Sequence, residues 1–230
     1  MKKPSLPSLS VVFPAFNDEK TLPGIIKKTF TLLPKITGNY EIIVVNDGSF
    51  DNTAKILIRL KKDNPALRVI HHKKNKGYGA ALASGFKQAK KEFIFYTDSD
   101  GQYDVSELKK LVQALDKNTD IVTGFKLKRS DPWFRKVIGT LYNYGVRIIF
   151  DLHVLDVDCD FRLFRRDLVK NIHFTIHSGA FDVEFITLLK KKGARFKEIP
   201  VHHYPREYGQ SQFFSLKRIA RSLWDLIKLV

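Results

Sequence analysis

Short apolar runs alternate with helical patterns along residues 9–125, and this alternation limits the fold more than any other feature. The predicted strands are LSVVFPAF (9–16), EIIVVN (41–46), LRVIHH (67–72), EFIFYTD (92–98) and DIVTGF (120–125). The predicted helices between them cover residues 21–33, 51–60, 79–91 and 105–115. Regular alternation of strand and helix predicts an α/β domain with a mainly parallel, Rossmann-like central sheet. Strands that are apolar on both faces predict helices covering both sides of that sheet.

The alternation loosens beyond residue 126. Trp133–Phe150 is an apolar stretch interrupted by basic residues, and residues 158–166 resemble a strand. Residues 181–193 predict a helix that ends at Gly193, and residues 195–204 predict a further strand. Because no repeat, low-complexity tract or linker divides the chain, we expect one domain over residues 1–212 and an amphipathic helix over residues 213–230.

Composition narrows the class of protein. The chain has 230 residues, which suits one large domain, and its 43% hydrophobic content is enough for a sizeable core. Its net charge of +16 predicts an anionic partner: nucleic acid, an acidic lipid surface or phosphorylated small molecules. The single cysteine, Cys159, excludes an internal disulfide framework. Neither an N-terminal signal sequence nor an apolar run of the ~20 residues needed to span a membrane is present.

Three polar loops follow predicted strands directly. They are Pro14–Glu19, Asn46-Asp47-Gly48 and Asp98–Gln102. Ligands of open parallel sheets bind at the carboxyl ends of the strands. We therefore expect the three loops to meet at one crevice. The alternatives are an ordinary turn at Asn46-Asp47-Gly48 and a helix-start role for Asp18 and Glu19.

The segment DSDGQ (98–102) has the chemistry of a metal site. Asp98 and Asp100 are two residues apart, so in an extended chain they point to the same side, where their charges repel each other. Carboxylate oxygens are ligands that Mg²⁺ or Mn²⁺ prefers, and Gln102 adds an amide oxygen. A cluster of turn-forming residues is the alternative.

Gly77-Tyr78-Gly79 follows a predicted strand and opens a predicted helix, as a dinucleotide-binding fingerprint does. The match is poor, because no third small residue follows at the required place and Lys73-Lys74-Asn75-Lys76 intervenes. We expect the glycines to permit a tight turn into a helix that faces the crevice. The adjacent histidine pairs, at 71–72 and 202–203, are interpreted as structural.

Four segments, in order and spacing, resemble the family-two glycosyltransferases with the GT-A fold: VVFPAFNDEKTLP, EIIVVNDGSFDNT, NKGYGAALASGF and FIFYTDSDGQYD. The later DCDFRLFRR and FDVEF, followed by PVHHYPREYGQS, resemble the dolichyl- or polyprenyl-phosphate sugar transferases. The resemblance implies transfer of a sugar, with inversion, from a UDP- or GDP-sugar to a polyprenyl phosphate. It also implies a Mg²⁺ or Mn²⁺ cofactor and a peripheral position at the cytoplasmic face of a membrane.

The resemblance assigns roles on the donor side. The residues implied for the nucleoside pocket are Pro14, Phe16, Glu19 and Asp47. Asp98 and Asp100 match the metal-binding acids of the family, with Gln102 as a further ligand and the backbone of Ser99 along the ribose or diphosphate. The basic or polar residues implied near the phosphates are Lys126, Arg135, Arg206 and Gln210, the last two on a loop that closes over the donor.

The implied catalytic residues are Asp100, Arg135 and Asp160. Asp160 lies where relatives place an acid near the acceptor, and its work is either orientation or base catalysis. A salt bridge to Arg162 or Arg165 is the structural alternative.

The C-terminal segment predicts an interfacial helix. An apolar stripe at three- and four-residue spacing consists of Leu216, Ile219, Leu223, Ile227 and Val230. Basic residues lie away from this stripe, which fits a helix on an anionic bilayer with Trp224 near the headgroups. Trp133–Phe150 would supply a second contact surface on the same side. A helix docked on its own domain is the alternative.

Three rival functions follow from the same sequence. One is transfer to a soluble saccharide or protein acceptor, and another is a degenerate domain that binds a donor without turnover. The third is nucleic-acid binding, suggested by charge. Because the basic residues are dispersed and neither an aromatic RNA-binding motif nor a recognition helix is present, we expect no nucleic-acid partner.

Overall fold

The computed structural model describes residues 6–127, 133–208 and 216–229. Its strands are β1 (Leu9–Ala15), β2 (Tyr40–Asn46), β3 (Leu67–His71), β4 (Phe93–Thr97), β5 (Ile121–Lys126), β6 (Phe161–Arg165) and β7 (Phe196–Val201). Its helices are α1 (Leu22–Leu32), α2 (Thr53–Asp63), α3 (Tyr78–Gln88), α4 (Leu108–Ala114), α5 (Trp133–Ile149), α6 (Phe181–Lys191) and α7 (Leu216–Ile227).

The strands form one seven-stranded sheet in the order β3-β2-β1-β4-β6-β5-β7. β1 pairs in parallel with β2 and β4, β2 with β3, and β5 with β7, while β6 is antiparallel to both of its neighbours. The carboxyl ends of the other six strands therefore lie at one edge, where β6 begins. The predicted α/β class with a mainly parallel sheet is confirmed.

Helices cover both faces of the sheet because each central strand is apolar on both sides. Val11 and Phe13 of β1 pack into a core cluster with α1 and α4. Val12, between them, packs into a second cluster with α3 and α6. Fully burying side chains of this type contributes ~1.5–3 kcal/mol each, so both layers stabilise the fold.

Three predicted helices differ in detail from the structure. The helix predicted to start at Asp51 begins at Thr53, whose amide donates to Asp51 Oδ1 at 2.9 Å. The helix predicted for residues 105–115 is a 3-10 turn followed by α4. Thr21 is at the N-cap position of α1, but its hydroxyl donates to the Ser99 carbonyl oxygen at 2.6 Å and makes no capping bond.

The two amphipathic segments both form helices. Trp133–Phe150 gives α5. In α7, Leu226 and Ser222 are buried against the second core cluster, whereas Trp224 remains 60% exposed. α7 is thus docked along one side and open along the other. Within the described residues, no helix is both long and apolar enough to cross a membrane.

The approach of α3 to β1 depends on a glycine. A Cβ atom on Gly85 would lie 2.4 Å from Val12 Cγ1, whereas a Cβ on Gly24 of α1 would meet nothing within 4 Å. Alanine normally stabilises a helix interior by ~1 kcal/mol relative to glycine.

We predict that Gly85→Ala lowers the free energy of unfolding by ~1–3 kcal/mol, because the added methyl overpacks the contact between helix and sheet. Gly24→Ala is the matched control and should raise it by ~0.5–1 kcal/mol. Urea denaturation of both variants measures the difference. Equal stabilisation by the two substitutions would show that the close approach does not limit the fold.

Candidate active site

The loop after β4 is fixed to the end of β1. The Ser99 hydroxyl lies 2.6 Å from the Pro14 carbonyl oxygen and 2.7 Å from Asp18 Oδ2, with one proton to donate between them. The Thr21 hydroxyl holds the Ser99 carbonyl, as described above. Burial raises the pKa of the Asp18 carboxyl. Because Ser99 is held on both sides, the flanking Asp98 and Asp100 sit on an anchored backbone.

Asp100 and Gln102 face a cation supplied by the chain itself. Arg206 Nη2 donates to Asp100 Oδ2 and, at 3.2 Å, to Gln102 Oε1. The Gln102 amide donates to Asp100 Oδ1 at 2.9 Å. Gln102 also exchanges hydrogen bonds with the backbone of Tyr204, at 2.8 Å from the Tyr204 amide and 3.2 Å to the Tyr204 carbonyl oxygen. The segment 202–208, here called the strap, therefore lies directly over the DSDGQ loop.

Asp98 and Asp160 meet through a tyrosine. The Tyr78 hydroxyl donates to Asp160 Oδ1 at 2.6 Å and lies close enough to Asp98 to affect the pKa of that carboxyl. Burial, and then the charge of Asp100, raise the pKa of Asp98 to about 8. Burial, followed by the charges of Asp182 and Asp98, raises the pKa of Asp160 well above its usual range. The pocket thus concentrates carboxylates where water is scarce.

A buried ion pair lies behind these acids. Arg162, in β6, is fully buried and donates to Asp182 Oδ1 and to the Tyr96 hydroxyl. Its Nε donates to the Thr123 hydroxyl at 3.1 Å. The suggested salt bridge from Asp160 to Arg162 or Arg165 is wrong, because Arg162 pairs with Asp182 and Arg165 pairs with other acids. A buried guanidinium needs such partners to offset its lost hydration.

Three of the four residues implied for the nucleoside pocket lie at the end of β1 or just after it: Pro14, Phe16 and Glu19. Phe16 packs edge-on against Phe50 with ring centroids 5.8 Å apart, beside the chain that leads to α1. The Glu19 carboxylate accepts from the backbone amide and the side-chain amide of Asn52, at 2.9 and 2.8 Å. Its contacts fasten the start of α2 to this loop. Pro14 contacts the acid loop through its carbonyl oxygen, which accepts from the Ser99 hydroxyl.

Asp47 is buried and its carboxylate is fully engaged. It accepts from the Lys76 and Gly77 amides, both at 2.9 Å, and lies 2.6 Å from His72 Nδ1. These contacts hold the loop between β3 and α3. A nucleoside-binding role for Asp47 stays a prediction, and the observed contacts give it a positioning role for this loop.

The basic residues implied near the phosphates have different environments. Lys126 Nζ lies 2.5 Å from the Asp158 carbonyl oxygen and 3.6 Å from Asp156 Oδ2, so it ties β5 to the chain before β6. Arg206 faces Asp100, as above. Arg135 lies in the first turns of α5, and its side chain is outside the described part, as is Gln210. Their roles stay predictions.

The glycines at 77 and 79 are required by packing. Gly77 has φ +105°, and a Cβ on it would lie 2.2 Å from the His177 carbonyl oxygen. The Gly79 amide donates to that oxygen at 3.2 Å. The start of α3 is therefore covered by protein, which explains the glycines without a dinucleotide.

The donor set of the pocket fits a hard divalent cation. Asp98 and Asp100 offer carboxylate oxygens, and Gln102 offers an amide oxygen. Among the described residues, no three His, Cys, Asp or Glu side chains converge as a metal cluster. Two carboxylates are nevertheless the usual protein share for magnesium, which completes its shell with water and phosphate oxygens. Burial and the charge of Asp100 raise the pKa of Asp98, and a bound cation would lower it again.

Solved structures of glycosyltransferases share this architecture. Glucosyl-3-phosphoglycerate synthase from Mycobacterium tuberculosis, in complex with Mn²⁺, UDP and glucosyl-3-phosphoglycerate, superposes with a TM-score of 0.69 at 18% identity over 97% of this chain and 78% of that one. The mannosyltransferase PcManGT from Pyrobaculum calidifontis, with GDP-Man and Mn²⁺, gives 0.66 at 17% identity over 96% and 64%. TarS 1–349 from S. aureus gives 0.58 at 21% identity over 85% and 60%.

The fold is that of the GT-A glycosyltransferases. The sequence model of glycosyl transferase family 2 matches residues 10–173, and the chain belongs to this family. The family resemblance and the GT-A fold expected from the sequence are thereby confirmed, whereas the acceptor is left open.

Sequence reasoning missed Tyr78 and Asp182 as members of the site. Tyr78 stands between Gly77 and Gly79, and the sequence draws attention to these glycines, as a possible dinucleotide-binding motif, rather than to the tyrosine hydroxyl. Asp182 and Arg162 are charges placed inside apolar runs, FDVEF and FRLF, and that mismatch is the signal for a buried ion pair.

Proposed function

We propose that this glycosyltransferase moves a sugar, with inversion, from a UDP- or GDP-sugar to a polyprenyl phosphate, using Mg²⁺ or Mn²⁺ at the cytoplasmic face of a membrane. The observation that supports a lipid acceptor is the exposed apolar face of α5, a helix whose opposite side rests on the chain that leads to Asp160. The acid pocket supports the donor and the metal.

Asp98, Asp100 and Gln102 would hold the metal. When bound, a divalent ion neutralises the negative charge that develops on the leaving nucleotide diphosphate. Two structurally similar proteins contain Mn²⁺ together with UDP or GDP-Man, which supports this assignment. Arg206 contacts Asp100 and Gln102 and would stabilise the same developing charge.

The exposed face of α5 follows one side of the helix. Its large apolar side chains, each at least half exposed, are Val137, Ile138, Leu141, Tyr144, Ile148 and Ile149. Asn143 of the same helix donates to the Leu155 carbonyl oxygen at 2.7 Å and accepts from the Val157 amide at 3.0 Å. Because Asn143 lies on the opposite side of the helix from this face, α5 rests on the chain that leads to Asp160 and presents its apolar face outward.

α7 adds a second exposed apolar surface. Leu223, Trp224 and Ile227 are exposed while Leu226 is buried. Contiguous apolar patches of this kind mark interaction sites, and a net charge of +16 favours an anionic bilayer as the partner. A lipid surface is therefore the environment that suits both helices.

The chemistry of a phosphate acceptor suits the proposal. A phosphate monoester has a second pKa near ~6, so it is largely anionic and needs no strong base. Asp160, held by Tyr78, would then orient the acceptor rather than deprotonate it.

Transfer to a hydroxyl acceptor is the second candidate function, and Asp160 favours it. Burial and neighbouring acids raise the pKa of the Asp160 carboxyl, and a carboxyl with a raised pKa is suited to accept a proton from a hydroxyl acceptor.

Asp160→Asn distinguishes a hydroxyl acceptor from a phosphate acceptor. The loss of kcat should reach ~10²–10⁴-fold with a hydroxyl acceptor, and we expect it to stay below about tenfold with a phosphate. Transfer of labelled sugar to polyprenyl phosphate in vesicles, and to soluble saccharides, provides the assay.

We predict that Asp100→Ala abolishes metal-dependent donor binding, because the cation loses one of two carboxylate ligands. Calorimetric titration with Mn²⁺ plus UDP or GDP measures this. Asp104→Ala, four residues along, is the control for a lost negative charge and should retain binding. Unchanged affinity in Asp100→Ala would contradict the metal assignment.

We predict that the protein floats with anionic phospholipid vesicles and that Leu141→Asp reduces the bound fraction severalfold, because a charge replaces an apolar contact at the interface. Ile58→Asp is the matched control, since Ile58 is similarly exposed, at 54%, but lies on α2. Equal effects of the two substitutions, or no flotation of the unmodified chain, would contradict docking through α5.

A further inference from the structure

The strap runs along the DSDGQ loop through contacts at several points. His202 Nδ1 lies 2.6 Å from Glu107 Oε1. Tyr204 is joined to Gln102 through backbone and side chain, as described above. Further along, Lys20 Nζ lies 5.4 Å from the centre of the Tyr208 ring. The strap therefore crosses from the end of β7 to the loop after β1, and Arg206 faces inward between these contacts.

Arg206 uses the same oxygens that the proposed metal would use. Its guanidinium contacts Asp100 Oδ2 and Gln102 Oε1, which belong to two of the three proposed ligands. The Asp100 side chain is only 11% exposed and that of Arg206 is 26% exposed, so water screens this ion pair incompletely. A guanidinium and a divalent ion repel each other and cannot share one carboxylate oxygen and one amide oxygen at bonding distance.

We propose that Arg206 competes with the divalent cation for Asp100 and Gln102, and that the nucleotide diphosphate relieves this competition by offering Arg206 another anionic partner. The inference rests on the proposed function and adds that metal and donor bind cooperatively. Diphosphate oxygens are good acceptors for a guanidinium, so the released side chain has a partner within the same pocket. Thermodynamic linkage makes this effect reciprocal. The nucleotide and the metal each raise the affinity for the other by the same factor.

The size of the effect on metal affinity depends on the fraction of molecules in which Arg206 contacts Asp100 and Gln102. If Arg206 occupies the acids in about nine molecules of ten, the apparent affinity for metal alone is reduced about tenfold. Removing the guanidinium should restore that factor. The same removal should weaken nucleotide binding once metal is present, because the diphosphate loses a cationic partner. Opposite signs for the two ligands distinguish competition from a general loosening of the site.

The test measures binding rather than turnover, on the full chain. Free Mn²⁺ is followed by electron paramagnetic resonance during titration of the unmodified protein, Arg206→Gln, Arg206→Lys and Lys20→Gln. We expect Arg206→Gln to bind Mn²⁺ alone about tenfold more tightly and Arg206→Lys to give a smaller gain, because it keeps the charge but not the planar fork. Lys20→Gln removes a nearby charge that also contacts the strap, and it should change the affinity less than about twofold.

The second arm repeats the titrations with saturating UDP or GDP. The nucleotide should tighten Mn²⁺ binding in the unmodified chain by a larger factor than in Arg206→Gln. If Mn²⁺ binds the unmodified chain but Arg206→Gln binds it equally or more weakly, the competition is overturned while the proposed function stands. Equal tightening by Arg206→Gln and Lys20→Gln also overturns it. If no form binds Mn²⁺ with or without nucleotide, the proposed metal site itself fails.

Discussion

The crowding of carboxylates at the end of β4 is the constraint on which the site depends. A parallel sheet gathers the ends of its strands at one edge, and the loops there bring Asp98 and Asp100 into a partly dry pocket with Asp160. Burial and the charge of Asp100 raise the pKa of Asp98 to about 8, so keeping both acids ionised near neutral pH requires a cation close to Asp98. Arg206 of the strap contacts Asp100 and offsets only part of the effect on Asp98. The chain thus places the ion pair between Arg206 and Asp100 where its proposed metal would bind.

β6 decides what stands opposite these acids. Because this strand is antiparallel to β4, it begins where the other strands end, and Asp160 enters the pocket as the residue just before it. Arg162, two residues later, is buried beneath the pocket and held by Asp182 of α6. The pair links the sheet to the helix layer. Removing one partner of such a pair typically costs ~3–5 kcal/mol, so the floor of the site is also part of the core.

The sequence predicted the fold class and, for residues 9–125, the succession of strands and helices along the chain, because this part alternates clearly between the two patterns. The order of the strands across the sheet was not predicted. The meeting of the DSDGQ loop with the loops after β1 and β2 was predictable for the same reason, whereas its role as a metal site stays a prediction. The partner of Arg162 was not predictable, because a buried charge pairs with whichever residue the fold brings next to it. Asp182 is 20 residues away in sequence, on a different element. Thr21 and Gly79 illustrate the same limit. Each lies at the start of its helix, but tertiary contacts with Ser99 and His177 decide what their polar groups do.

Asn143 joins the outer helix α5 to the chain that carries Asp160, whereas the donor-side acids are anchored through β1 and β4. The two halves of the pocket thus rest on separate supports. Under the proposed function, substitutions on the surface of α5 would change which acceptors bind without disturbing the carboxylates proposed to hold the metal. A scaffold divided in this way is suited to diversification of acceptors around a constant donor chemistry.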